Sequence, residues 1–133
     1  MRALVVDDDP ASRQVLAAHL AGLAECTLCA SGTEAVAAAS SAREAGTPFD
    51  VIFLDIIMPH MDGHETLARI REAEAAAAVP PRKRARAVMV TSMDDETNTM
   101  AALFDGQVAA YLVKPPNRSE LLDKLMAIGL LPQ

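Results

Sequence analysis

Three carboxylates, a hydroxyl and an ammonium stand where short apolar runs of this chain end. Runs 3–6, 51–54, 87–90 and 111–113 lead into Asp7-Asp8, Asp55, Thr91 and Lys114 respectively. Carboxylates gathered in one small crevice raise one another's pKa and destabilise the ionised cluster unless a cation is bound. Oxygen ligands of this kind suit Mg²⁺, which keeps several waters and often bridges carboxylates to a phosphate. With such an ion in place, one Asp oxygen can attack an electrophilic phosphorus. Lys114 can then neutralise charge on the transferred group, and Thr91 can donate a hydrogen bond to it.

Such chemistry requires elements that bring the run ends together. Runs this short and rich in β-branched residues read as buried strands, and the segments between them as helices. Alternating strands and helices imply a parallel sheet, in which ligands sit beyond the carboxyl ends of the strands. A further strand is expected over 25–30. Asp9 and Pro10 read as the N-cap and first position of a helix running to about Leu23, with Val15, Leu16, Leu20 and Leu23 available to the sheet. Ser31-Gly32 makes a turn, and Thr33-Glu34 opens a second helix that ends near Gly46. Pro59 and Gly63 hold 55–63 as a loop before a third helix, begun near Asp62, that carries Leu67 and Ile70 on one face. A fourth helix is expected over 94–104, with acidic residues early and Gly106 at or just past its end. Asn117 with Glu120 resembles a capping arrangement for a fifth helix to about Ile128. The fold expected is α/β: one domain over 1–133, a doubly wound parallel sheet ordered 2-1-3-4-5, and five helices.

Bulk properties narrow the function classes. A chain of 133 residues fits one domain that buries a sizeable core. No apolar stretch approaches the ~20 residues that span a bilayer, and Met1 leads almost at once into a strand, without a secretory leader. A soluble, cytoplasmic protein is expected. The net charge of −6 disfavours broad attachment to nucleic acid or anionic membrane. Cys26 and Cys29 have the spacing of a redox or metal pair, but residues three apart on a strand face opposite ways, so two unpaired thiols are expected. His60 and His64 are four apart, but Pro59 and Gly63 argue against regular helix there, so they are read as surface histidines and not as a metal pair. Arg82, Lys83, Arg84 and Arg86 precede a strand, which puts them at the end of the sheet opposite the carboxylates. A solvated loop is the simpler reading, with an anionic docking patch as the alternative.

The ordered set Asp7-Asp8, Asp55, Thr91, Tyr111 and Lys114-Pro115, together with the loop from Asp55 to Gly63, closely resembles the receiver domain of bacterial two-component response regulators. The chemotaxis-type single-domain receivers are the nearest kind. The resemblance covers essentially the whole chain and implies a flavodoxin-like fold. It implies that Asp55 accepts a phosphoryl group from a histidine kinase, and that Asp8, Asp55 and the Ile57 carbonyl hold Mg²⁺, with Asp7 acting through a bound water. Lys114 would contact the phosphoryl group, aimed by a cis Lys114–Pro115 bond. Thr91 would move toward the phosphoryl group and Tyr111 would turn inward. These motions would change a protein-binding face built from the fourth helix, fifth strand and fifth helix. Expected partners are a sensor histidine kinase or histidine phosphotransfer protein and a downstream target protein. The same face allows a transient homodimer. Such a protein is an enzyme only toward itself.

Two departures from the family pattern matter. The spacing from Thr91 to Lys114 is one residue longer than is common, with the extra residue expected near 104–107. Ile57 and Met93 are apolar where the family influences how water reaches the acyl phosphate, so slow self-dephosphorylation is expected. A metal-dependent phosphatase of haloacid-dehalogenase type would need a second Asp at position 57, where this chain has Ile57. The remaining alternatives are a phosphorylation-independent adaptor of receiver shape, a phosphorelay intermediate, or a fragment of a larger regulator.

Overall fold

The computed structural model describes residues 1–92 and 108–132. The fourth expected helix, Met93, Gly106 and the extra residue near 104–107 lie outside the described residues. Five strands alternate with helices: β1 (Arg2–Val6), α1 (Pro10–Leu20), β2 (Glu25–Cys29), α2 (Gly32–Glu44), β3 (Val51–Asp55), α3 (Gly63–Ala76), a short 3₁₀ turn (Pro81–Lys83), β4 (Arg86–Thr91), β5 (Ala110–Val113) and α4 (Arg118–Ala127). All pairings are parallel, in the order β2-β1-β3-β4-β5. The expected sheet order is therefore observed, with four helices among the described residues.

Alternation along the buried strands divides the core into two layers. Leu4, Val6, Ile52, Leu54, Ala87 and Met89 pack toward Ala35 of α2 and Leu67 and Ile70 of α3. Ala3, Val5, Val51, Phe53, Val88 and Val90 pack toward Leu16 and Leu20 of α1 and Leu121 and Leu125 of α4. Cys26 packs against the second layer and Cys29 lies in the first, so the two thiols face opposite sides of the edge strand, and both are free.

Side chains set the helix starts. Asp9 accepts from Ala11 N, Asp62 from Glu65 N at 2.8 Å and Asn117 from Glu120 N at 2.7 Å. Helix α2 begins one residue earlier than expected, because Ser31 is its cap: Oγ accepts from Glu34 N at 3.2 Å, and Glu34 Oε2 accepts from Ala30 N at 3.3 Å. Helix α1 stops at Leu20 rather than Leu23. Gly22, at φ +82°, turns the chain so that Leu23 N and Ala24 N both donate to the Leu20 carbonyl. Leu16 and Leu20 are buried as expected, but Val15 is 40% exposed, being one helical step off the line that faces the sheet. Among the described residues, no helix is long and apolar enough to cross a membrane.

One buried acid fastens the far end of the domain. Glu74 of α3 accepts from Arg71 at 2.7 Å through Oε1 and from Ala85 N at 3.0 Å through Oε2, which ties α3 to the entry of β4. Glu74→Ala removes both acceptors at a buried site and is expected to destabilise the fold by about 3 kcal/mol. The loss would appear as a lower denaturant midpoint at unchanged m-value. An unshifted midpoint would show that this staple contributes nothing.

Candidate functional site: an acidic pocket at the carboxyl edge of the sheet

Strand β1 has neighbours on both sides, β2 and β3, so the chain reverses its direction of travel across the sheet at this point and leaves a crevice beyond the strand ends. The β1–β3 register pairs Val6 with Leu54, which sets Asp7 and Asp55 side by side at the lip. Carboxylate oxygens of Asp7, Asp8 and Asp55 all lie within 4.8 Å of one another, with Asp7 and Asp55 buried and Asp8 exposed.

The loop carrying Asp7 is held from three directions. Asp7 N donates to the Cys29 carbonyl at 3.1 Å, Asp7 Oδ1 accepts from Asp9 N at 2.9 Å, and Arg13 donates to the Asp7 carbonyl at 2.7 Å. The Asp55 loop is held by Ile56 N donating to the Val90 carbonyl and Gly63 N donating to the Ile56 carbonyl at 2.8 Å. Gly63 is required there: a Cβ would stand 2.5 Å from the Asp55 carbonyl oxygen and 3.0 Å from Ile56 Cα. Thus the glycine that ends the loop lets α3 approach the backbone of the residue that begins it.

Lys114 enters from β5. Its backbone N donates to the Thr91 carbonyl at 2.8 Å, and the Lys114–Pro115 peptide bond is cis, as expected. Nζ stands 2.9 Å from Asp7 Oδ2 and 3.3 Å from Asp55 Oδ1. One ammonium is therefore shared by two buried carboxylates. Asp7 Oδ2 is fully buried and meets the ammonium at charge-assisted hydrogen-bond distance, which does more to hold Lys114 charged than the coulombic pull of either carboxylate. Burial first, and then the Asp7 charge, push Asp55 up to about 7, with Lys114 opposing them incompletely. For Lys114, burial disfavours the charged form, but the two carboxylates together outweigh it and raise its pKa above the usual lysine value.

The other expected residues occupy less central places. Thr91 is buried at the end of β4, and its Oγ1 donates to the Ser92 carbonyl at 3.0 Å. Tyr111 pairs with Met89 in register and packs against the first core layer. Ile57 stands two residues after Asp55 in the loop and is 54% exposed. Among the described residues, the three aspartates form the one metal-capable cluster; His60 is exposed, His64 is half-buried, and they do not form a second. Sequence reasoning did not single out Arg13. Its position on the first turns of α1, six residues after Asp7, is the signal that could have found it.

Because folded Asp55 holds its proton more tightly than unfolded Asp55, its contribution to metal-free stability is fully present at low pH. That contribution is lost as pH rises from the ordinary 3.8 through about 7. Melting temperatures in EDTA are expected to fall across that window relative to Asp55→Asn, and added Mg²⁺ to recover the loss at its alkaline end. Parallel curves for the two proteins would contradict this.

Residues 3–126 match the model of the response regulator receiver domain. The transcriptional regulatory protein AruR of Pseudomonas aeruginosa is 33% identical over 92% of this chain and 47% of its own length. The chain therefore spans just under half of that curated relative. Among solved structures, the receiver domain of the histidine kinase CKI1 from Arabidopsis thaliana, complexed with Mg²⁺ and BeF₃⁻, superposes with a TM-score of 0.78 at 31% identity. That match covers 96% of this chain and 88% of that one. The Vibrio cholerae chemotaxis protein CheY4 superposes with a TM-score of 0.75 at 30% identity, covering 96% and 97%. With its acidic pocket at the switch point of a 2-1-3-4-5 sheet, this chain belongs to the response regulator receiver domain family.

Proposed function

We propose that this chain is a Mg²⁺-dependent phosphoacceptor, one receiver unit over 1–133, that takes a phosphoryl group on Asp55 and signals by changing what it binds. The observation that carries the reading is Lys114 Nζ lying between the Asp7 and Asp55 carboxylates in a buried crevice. Three carboxylates around one ammonium leave an excess of negative charge that fits a hard divalent cation. Asp8, Asp55 and the Ile57 carbonyl would hold Mg²⁺ directly, and Asp7 would hold it through a water. The ion supplies charge neutralisation at the phosphoryl oxygens.

An Asp55 oxygen attacks the phosphorus of a phosphohistidine. The P–N bond breaks as the new P–O bond forms, and the imidazole leaves with the electron pair. Lys114 holds negative charge on the transferred group, and Thr91 turns from the Ser92 carbonyl to donate to it. Tyr111, on the adjacent strand, follows that movement. The protein acts catalytically only on its own phosphorylation and dephosphorylation. The exposed apolar side chain of Ile57 offers no group to orient an attacking water, which favours a long-lived acyl phosphate.

The donor would be a sensor histidine kinase or histidine phosphotransfer protein. Beside the pocket, Val15 and Leu16 of α1 and Pro115-Pro116 enclose a shallow recess of about 270 Å³ that Asp7 and Lys114 also line. His19 Nε2 lies 3.1 Å from the Pro116 carbonyl and holds the two walls together. An apolar donor surface seated there would bring its imidazole to Asp55. The downstream partner of the chain is a protein.

Intact mass after incubation with acetyl phosphate and Mg²⁺ is expected to rise by one phosphoryl group. The gain should vanish in EDTA and in Asp55→Asn, and the time course after donor removal should decay slowly. A folded protein that gains nothing from acetyl phosphate or from histidine kinases would favour the adaptor reading. Val15→Glu is expected to slow transfer from a phosphorylated kinase while leaving labelling by acetyl phosphate unchanged. Equal slowing of both would place Val15 in folding rather than docking.

A further inference from the structure

The end of the sheet opposite the acidic pocket carries two cavities that the phosphoacceptor chemistry does not use. One, of about 370 Å³, is lined by Pro81, Arg84, Arg86 and Arg71 over a small-residue floor. The other, of about 320 Å³, is apolar, with Phe49, Ile52 and Ile70 inside and Arg43 and Lys83 among its lining cations. Segment 80–86 divides them: Pro80 and Lys83 face the apolar cavity, Pro81, Arg84 and Arg86 the basic one, and Ala85 borders both. Each volume is near the lower limit of sites that enclose a small group.

Among the described residues, the cations of this segment make no ion pair. Among the described residues, ion pairs to carboxylates are made by Arg2, Arg69, Arg71 and Lys114. Arg82, Lys83, Arg84 and Arg86 make none, although the chain as a whole is at −6. Glu74, which also lines the apolar cavity, already serves Arg71 and Ala85 N. The segment is also pre-formed: Arg84 Nε donates to the Val79 carbonyl at 3.1 Å and Lys83 N to the Pro80 carbonyl at 2.9 Å. Arg82, Lys83 and Arg84 are thus held on a fixed turn, with Arg86 opening β4 behind them, beside the apolar recess.

We infer that this end of the domain is a docking surface for an acidic polypeptide segment of a partner protein, which places one apolar side chain in the Phe49–Ile70 cavity and its carboxylates against Lys83, Arg84 and Arg86. Charge complementarity names the sign of the occupant, and the apolar cavity names its class. A nucleic acid has phosphates for the arginines but nothing for the apolar recess. A single small molecule cannot occupy two cavities separated by the chain, whereas a peptide can cross the ridge between them. Anchor and charge then divide the work, the apolar side chain supplying residence and the cations supplying register and encounter rate. This surface is independent of Asp55 and its chemistry.

The test is fluorescence anisotropy of the whole chain at physiological salt with labelled short Glu/Asp peptides, one carrying a central leucine and one a central glycine, beside single-stranded DNA and phosphatidylserine vesicles. The leucine peptide is expected to bind, and the glycine peptide at least about fivefold more weakly. Lys83→Gln with Arg86→Gln, both at exposed positions, should weaken the leucine peptide about tenfold, while Ala77→Phe at the cavity mouth should remove the difference between the peptides. Neither variant should alter labelling by acetyl phosphate. No binding of the leucine peptide, or equal binding of both peptides, would overturn the inference. So would DNA or vesicles binding as tightly as the leucine peptide.

Discussion

Everything at the functional edge depends on one ammonium shared between two buried carboxylates. Lys114 Nζ is 2.9 Å from Asp7 and 3.3 Å from Asp55, and a third carboxylate, Asp8, lies close by. In a crevice of reduced dielectric this arrangement is under-neutralised: Lys114 is kept charged by its neighbours, while Asp55 is pushed toward a neutral form that is a poor nucleophile. The charge deficit is of the kind that a hard divalent cation offsets.

Holding such a cluster requires a backbone that does not relax away from it. The parallel sheet supplies this by burying β1, β3 and β4 on both faces, so that the strand ends cannot fray outward. The loops are fixed in turn. Arg13 and the Cys29 carbonyl hold the Asp7 turn, and Gly63 closes against the Asp55 carbonyl where no Cβ fits. Glu74 performs the corresponding task at the other end, where it fastens α3 to the start of β4, while the basic segment 82–86 makes no ion pair among the described residues. Among the described residues, a cluster of three carboxylates therefore stands at one end of the strands and a run of unpaired cations at the other.

Much of this was written in the order of residue types. Apolar runs of strand length ending in Asp7, Asp55, Thr91 and Lys114 determine a parallel sheet with those groups on one edge, because side-chain alternation and right-handed crossovers leave few other arrangements. Asp9, Asp62 and Asn117 announce helix starts because a short oxygen-bearing side chain satisfies backbone donors locally. Signals that depend on a few neighbouring residues were legible for that reason. The limits of α1 and the start of α2 were less so, since Gly22 with its left-handed turn and the Ser31–Glu34 pair compete with the apolar pattern on either side.

What only the tertiary structure decided are quantities that involve residues far apart in the chain. Val15 has the same composition signal as Leu16, and only the packing of α1 on the sheet turns one outward beside Pro116 and the other inward. The partner of Glu74 across eleven residues, the role of Arg13 on the Asp7 carbonyl and the division of 80–86 between two cavities follow from three-dimensional closure, not from local propensity. The same holds for the distances that make Asp55 reluctant to ionise. Sequence determines which groups meet at the edge of the sheet; their pKa values and contacts depend on burial and separation to within an ångström, which the whole fold sets.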